Sequence, residues 1–290
     1  MVLYWLYKRR ENDGYAGSGG VIFTPRAGAF CIAGFSPRAC LSCRPAHHLK
    51  CLIMNLRDGV LIQRNAIRPA DLAFLAGPVR QAPMVDSAVS NFGEEAAADS
   101  VEWVVNREIR DTQQVHLPDA IAERLSGIHD ASVRAFVNPF YEIEVLDSEP
   151  PQILHYGVGG HYIPHVDAET LYKDDTGLDL WEKTLDRDLS VVYFLNDDFA
   201  GGELFFPTLD LLVKAESGTL VCFPADHNYI HGVKPVTSGH RYTVVTWMRV
   251  KGMPSMDEIN QAAMDEYHRL WPKQIEQHPR LARGGRVEHG

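Results

Sequence analysis

His165, Val166 and Asp167 stand in a row, His231 follows 64 residues after Asp167, and Arg241 comes ten residues later. Two imidazoles and one carboxylate are the donor set that holds a redox-active Fe(II) on one face and leaves other coordination positions open. Alternate residues of a strand point the same way, so His165 and Asp167 can reach one metal while Val166 faces the wall behind them. The third ligand must then come from another strand, and the segment at His231 is β-like. Neutral imidazole and carboxylate donors suit iron, and the open positions suit a chelating acid and dioxygen. A structural zinc site would be closed by four protein ligands, and nothing here supplies an obvious fourth. The cation of Arg241 could anchor an acidic co-substrate. Taken alone, His-x-Asp often arises by chance, and a strand histidine is more often a core or surface residue than a ligand.

Residues 141 to 250 read as many short strands separated by Gly, Pro and Asp turns, which fits an antiparallel jelly roll with the ligands converging at its mouth. The fold class expected is mainly β with flanking helices (α+β) around a double-stranded β-helix core. Upstream, Pro69 to Ala76 could start a helix bounded by Gly77-Pro78, and Val101 to Thr112 has the alternating, β-branched character of a strand. Pro118 suits a helix start, and Ile121, Leu125, Ile128, Ser132 and Phe136 follow helical spacing up to Pro139. A last helix opens on a capping box at Ser255 to Glu258, carries an apolar line at Ile259, Ala263, Tyr267 and Leu270, and is expected to stop at Pro272.

Composition is that of a soluble globular enzyme, with 45% hydrophobic residues and no apolar run near the ~20 residues needed to span a bilayer. Five cysteines, four of them before residue 52, do not make a disulfide framework, so a reducing cytoplasm is the natural compartment and also suits Fe(II). Residues 1–53 hold seven Lys or Arg against two acids, whereas 54–290 hold 21 against 36. The first segment is turn-rich and is expected to be a disordered or non-native extension, with Met54 as an alternative start. Its Cys40, Cys43, His47 and Cys51 have a spacing close to, but tighter than, a zinc knuckle. The domain layout expected is therefore helical support over 54–140, the jelly roll over 141–250, and a helix and tail over 251–290. Cys222 alternates with apolar neighbours and reads as a small buried hydrophobe. His155, His161, His227 and His240 flank the ligands without being expected to ligate.

Six blocks occur in order: Tyr156 to Asp167, Arg187 to Asn196, Gly201 to Pro207, Gly218 to Pro224, His231 to Val236, and Gly239 to Thr243 with Trp247. Together they resemble the prolyl 4-hydroxylase family of 2-oxoglutarate and Fe(II)-dependent dioxygenases over about residues 150 to 250. The resemblance implies that His165, Asp167 and His231 bind iron, with no catalytic residue beyond the metal centre. It implies that the keto-acid end of 2-oxoglutarate chelates the metal and that Arg241 pairs with its distal carboxylate, helped by Tyr156 or Thr243. A guanidinium fork matches a carboxylate, although some relatives use lysine there. Phe194 stands where some close relatives carry a tyrosine that holds this carboxylate, which is why the helper role passes to the other two. The implied reaction consumes O2, releases succinate and carbon dioxide, hydroxylates an unactivated carbon, and uses L-ascorbate as reductant. Asp167 favours hydroxylation, because halogenating relatives lack the carboxylate.

Tyr162 and Trp181 are expected in the substrate pocket. Residues 168 to 188 form an acidic connection, seven acids against three bases, which could cover the site or simply be solvated. The resemblance favours a prolyl residue in a protein or peptide, with a free amino acid or small metabolite as the alternative. Net charge −10 argues against nucleic acid, no membrane is expected, and the oligomeric state stays open. Two other classes compete: a catalytically silent metal-binding jelly-roll module and a cupin-like enzyme with another metal. Neither gives Arg241 a role.

Overall fold

The strand Leu189–Phe194 shows why the sheet lies where it does. It is apolar at nearly every position, as suits a strand covered on both faces, and all six residues are buried. In the computed structural model, which describes residues 59–91, 102–173 and 177–277, this strand lies inside an eight-stranded antiparallel sheet. Its order is Leu61–Gln63, Leu220–Pro224, Leu189–Phe194, Arg241–Val250, Gln152–Tyr156, Gln113–Val115 and Met84–Asp86, with Val145–Ser148 pairing on the far part of Arg241–Val250. A four-stranded sheet, Leu211–Val213, Leu204–Phe206, His231–Val233 and Tyr162–His165, forms the second layer. Two antiparallel sheets around one core are the architecture expected of the double-stranded β-helix.

Side-chain alternation divides the large sheet between two cores. Val191, Tyr193, Leu220, Cys222 and Val244 turn toward the helices, where they join Leu75, Val79, Leu125, Ile128, Val133 and Val137. Val192, Phe194, Val221 and Phe223 turn the other way and join Leu204, Phe206, Val213 and Val233 of the small sheet. Each large side chain fully buried in this way contributes roughly 1.5–3 kcal/mol. Cys222 is fully buried and its thiol is pushed up by desolvation, in keeping with its reading as a hydrophobe.

The helices Pro69–Gln81 and Asp119–Ser132 back the sheet, and buried Asp71 ties them, accepting from Arg68 Nε at 2.7 Å and Arg124 at 2.6 Å. The first helix runs through Gly77-Pro78 instead of stopping there, because its buried Leu75 and Val79 need the extra turn for packing. The second continues as a π turn over Val133–Val137 and a short helix over Asn138–Tyr141. Asn138 donates to the Val133 carbonyl, a π-type bond that lets the helix pass Pro139, whose ring and missing N–H would break a regular turn. The stretch expected as one strand to Thr112 is interrupted: Glu102–Val104 pairs with Val89–Asn91, a turn follows, and Arg110 makes a single bridge to Tyr162 before Gln113–Val115.

The last helix, Met256–Gln277, has the expected capping box, with Ser255 Oγ and Glu258 exchanging bonds with each other's backbone N–H. It runs past Pro272, contrary to the stop expected there, and Ile259 and Ala263 of its apolar line are exposed. No helix among the described residues is long and apolar enough to cross a membrane. Cys40, Cys43, His47 and Cys51 lie outside the described residues.

Candidate metal and co-substrate site

The small sheet aligns the two histidines. His231 is the direct cross-strand partner of His165, and the imidazole centroids are 4.3 Å apart. Asp167 lies just beyond the end of its strand, in a bend, so period-two alternation is not what aims its carboxylate. The bend is held by Ala168 N–H donating to the Ala225 carbonyl at 3.0 Å and by Arg187 Nη1 donating to the Asp167 carbonyl at 3.2 Å. Arg187 is itself fixed by Glu149, to which Nη2 donates at 2.9 Å, and by the Trp247 ring 3.7 Å away.

The result is a convergent triad. His165 Nε2 lies 3.5 Å from Asp167 Oδ1, and His231 Nε2 lies 3.5 Å from Asp167 Oδ2. One donor atom from each residue falls within 4.8 Å of the others, and no other such group of three occurs among the described residues. Both tautomers follow from the hydrogen bonds. Nδ1 of His165 faces the Ile163 carbonyl at 2.9 Å and Nδ1 of His231 faces the Tyr229 carbonyl at 3.0 Å. A carbonyl only accepts, so each Nδ1 carries the proton and each Nε2 turns a lone pair toward the centre.

Ser190 Oγ donates to Asp167 Oδ2 at 2.7 Å and limits rotation of the carboxylate. Burial alone would raise the Asp167 carboxyl, but the His231 and His165 rings and the Ser190 hydroxyl outweigh it and hold it well below the usual carboxylate range. Burial pushes His231 down to about 4, with His165 acting in the same direction. The imidazole therefore stays neutral at physiological pH, the form that binds metal. Phe206 and Phe223 wall His231, and Tyr162 stacks on His165 with ring centroids 3.7 Å apart.

Arg241 is the second element. It is 1% exposed, with its guanidinium carbon 4.5 Å from the Tyr156 ring centre and 5.3 Å from that of Phe194. Its Nη1 donates to Thr243 Oγ1 at 3.1 Å, whereas its buried Nε has no partner among the described residues. Burial lowers its pKa, and among the described residues no carboxylate pairs with it. Space for the side chain depends on Gly202, where φ is +65° and an added Cβ would lie 2.9 Å from Arg241 Cδ. A buried, incompletely satisfied guanidinium between aromatic faces is a fitting receptor for one end of a dicarboxylate. Tyr156, Phe194, Phe206 and Phe223 belong to one core cluster, so the triad and Arg241 border the same inter-sheet space.

The family model described as the 2OG-Fe(II) oxygenase superfamily matches residues 151–249, a span that holds His165, Asp167, His231 and Arg241. The chain carries a domain of the 2OG-Fe(II) oxygenase superfamily. Among curated relatives, prolyl 4-hydroxylase subunit alpha-1 of Bos taurus is 26% identical over 152 residues, 49% of this chain and 28% of that protein. Prolyl 3-hydroxylase 2 of Rattus norvegicus is 34% identical over 85 residues, 28% of this chain and 12% of that protein. The chain thus spans less than a third of the length of these relatives. Among solved structures, the viral collagen prolyl hydroxylase from Paramecium Bursaria Chlorella virus-1 matches at 16% identity with a TM-score of 0.45, covering 66% of this chain and 96% of that one. A Trichoplax adhaerens prolyl hydroxylase, solved with a hypoxia inducible factor peptide fragment, matches at 17% identity with a TM-score of 0.44, covering 66% and 83%.

Within the oxygenase domain, the structure brings together His165, Asp167 and His231, and separately Arg241, Tyr156 and Thr243. It places Tyr162 on the triad. Trp181 instead lies flat on His227, with centroids 5.3 Å apart, in the antiparallel pair Glu169–Lys173 and Asp179–Lys183, and His227 Nδ1 is 2.6 Å from Glu169. Ser190, Arg187 and Gly202 were missed as site residues. Ser190 left a signal: a hydroxyl at an inward-facing position of an otherwise apolar strand.

Proposed function

We propose that this domain hydroxylates an unactivated C–H bond with decarboxylation of 2-oxoglutarate to succinate, and that its substrate is a prolyl residue of a protein or peptide. The observation that carries the reading is the pairing of an open two-histidine, one-carboxylate triad with a buried guanidinium that has no carboxylate partner among the described residues. A silent metal-binding module would need the first and not the second. When bound, Fe(II) supplies oxygen activation at a site with free coordination positions.

The chain's own residues supply the rest. His165, Asp167 and His231 would hold the metal, their donor atoms oriented by the Ile163 and Tyr229 carbonyls and the Ser190 hydroxyl. Arg241 would bind the distal carboxylate of 2-oxoglutarate, and the Thr243 hydroxyl, which accepts from Arg241, keeps its own proton to donate to that carboxylate. Phe206, Phe223 and Tyr162 would exclude water around the reacting centre. The prolyl substrate rests on the similarity to prolyl hydroxylases. Ascorbate and a reducing cytoplasm belong to the same proposal, since both keep iron ferrous.

The test is succinate release by the purified protein with Fe(II), ascorbate and 2-oxoglutarate, with and without proline-containing peptides and free amino acids, beside Asp167→Ala. Turnover that rises with a proline peptide and vanishes in the variant is expected. Absence of succinate, coupled or uncoupled, from metal-loaded wild type would overturn the proposal.

A further inference from the structure

The stack on the metal-side histidine has a third layer. Residues 109–111 run antiparallel beside 161–163, with Asp111 N–H donating to the His161 carbonyl at 2.9 Å, Ile163 N–H to the Ile109 carbonyl at 3.0 Å, and a bridge between Arg110 and Tyr162. This register lays the Arg110 guanidinium over the Tyr162 ring, 4.9 Å from its centre, while the same ring lies on His165 with planes 18° apart. Arg110 therefore lies two layers from a metal-ligating imidazole.

Several other cations have their charges matched. Arg107 pairs with Asp86 and Asp111, Arg187 with Glu149, and Lys183 with Asp188. Arg110 donates Nε–H to Thr112 Oγ1 at 2.9 Å, which fixes the plane of the fork, and among the described residues no carboxylate pairs with its terminal nitrogens. It is half-buried, so a ligand can reach it. An aromatic face beneath and a hydroxyl at Nε hold the guanidinium in one orientation before any ligand arrives, the condition under which a bidentate carboxylate contact loses least entropy. In a chain of net charge −10, such a cation is also what an anionic substrate would need for local attraction.

We propose that Arg110 is a specificity-determining residue that binds a carboxylate of the substrate, either an acidic side chain near the hydroxylated residue of a peptide or the α-carboxylate of a free amino acid. The proposal rests on the oxygenase reading above. Because an extended chain advances about 3.3–3.6 Å per residue, an acidic residue on Arg110 would lie within about three positions of the residue at the metal.

The experiment is titration calorimetry with the full chain loaded with Mn(II) and 2-oxoglutarate. The probes are proline peptides carrying Glu at each position within three residues of the proline, their Gln counterparts, free proline and prolinamide. Wild type is expected to bind at least one acid probe roughly tenfold or more tightly than its neutral counterpart. Arg110→Gln should erase that difference while still binding Mn(II) and 2-oxoglutarate, and Arg110→Lys should keep part of it. A Glu-peptide preference identifies the side-chain source, and a free-proline preference the α-carboxylate. Equal binding of acid and neutral probes by wild type, or a preference that survives in Arg110→Gln, would overturn the proposal. Failure of wild type to bind Mn(II) and 2-oxoglutarate at all would instead overturn the oxygenase reading beneath it.

Discussion

Arg241→Met separates a cation kept for a ligand from one kept for the fold. Without ligand, the guanidinium meets Thr243 Oγ1 at 3.1 Å, the Tyr156 side chain and the Phe194 ring, and its Nε has no acceptor. Cation–π contacts contribute about 0.5–2 kcal/mol each, and a charged hydrogen bond about 1.5–3 kcal/mol. Against these, an unsatisfied donor costs about 1–3 kcal/mol and desolvating the charge several more. The contributions are of similar size, so Met, an unbranched side chain that fills much of the same space, should change ligand-free stability by less than about 2 kcal/mol. Loss of the cation–carboxylate pair, by contrast, should cost the 2-oxoglutarate complex about 2–5 kcal/mol. The assay is thermal unfolding with Mn(II), with and without 2-oxoglutarate. At a hundred times its Kd the ligand stabilises wild type by about 2.7 kcal/mol, a rise of about 5–11 °C in Tm for a domain of this size. Arg241→Met at the same concentration should rise by less than about 3 °C. A variant that keeps the full rise, or that loses more than about 3 kcal/mol without ligand, would refute the assignment of Arg241 as a ligand anchor.

Ser190→Ala removes the 2.7 Å donor to Asp167 Oδ2 and should weaken metal binding by about 10–100-fold while leaving the fold intact, read by Co(II) absorption titration; an unchanged affinity would make that hydroxyl incidental. His129 lies between Tyr193 Oη at 2.9 Å and Ser148 Oγ at 3.0 Å, and burial pushes it down to about 4. Its folded pKa is below the unfolded value, so the unfolded chain takes up the proton first. Its contribution is complete above about pH 6.5 and is lost as pH falls toward 4, by up to about 3 kcal/mol. Urea midpoints at pH 7 and pH 4.5 should fall less in His129→Gln than in wild type, and equal slopes would show that another group governs the acid limb.

Much of the fold was legible in the sequence because a few elements carry unambiguous physical signals. The short strands of 141–250 read from their Gly, Pro and Asp turns, the helix after Pro118 from its 3.6-residue period, and the last helix start from the capping-box residues Ser255 to Glu258. Where a local signal competed with packing, packing decided. Gly77-Pro78 and Pro139 are stop signals in isolation, yet buried Val79 and the π turn at Val133–Val137 carry the helices through them.

The residue types of the site, His165, Asp167, His231 and Arg241, were likewise set in the chain, since donor chemistry belongs to the side chain wherever it is placed. Their relation to one another was not. Only the pairing register opposes His165 to His231, only the bend held by Arg187 and Ala225 turns the Asp167 carboxylate between them, and only Gly202 and the inter-sheet core make the space in which Arg241 is buried. Those contacts join residues far apart in sequence, and no local periodicity encodes a partner that distant. Tertiary structure alone also moved Trp181 onto His227 and laid Arg110 over Tyr162, because a side chain's neighbours across a sheet depend on register and not on the spacing of its own strand.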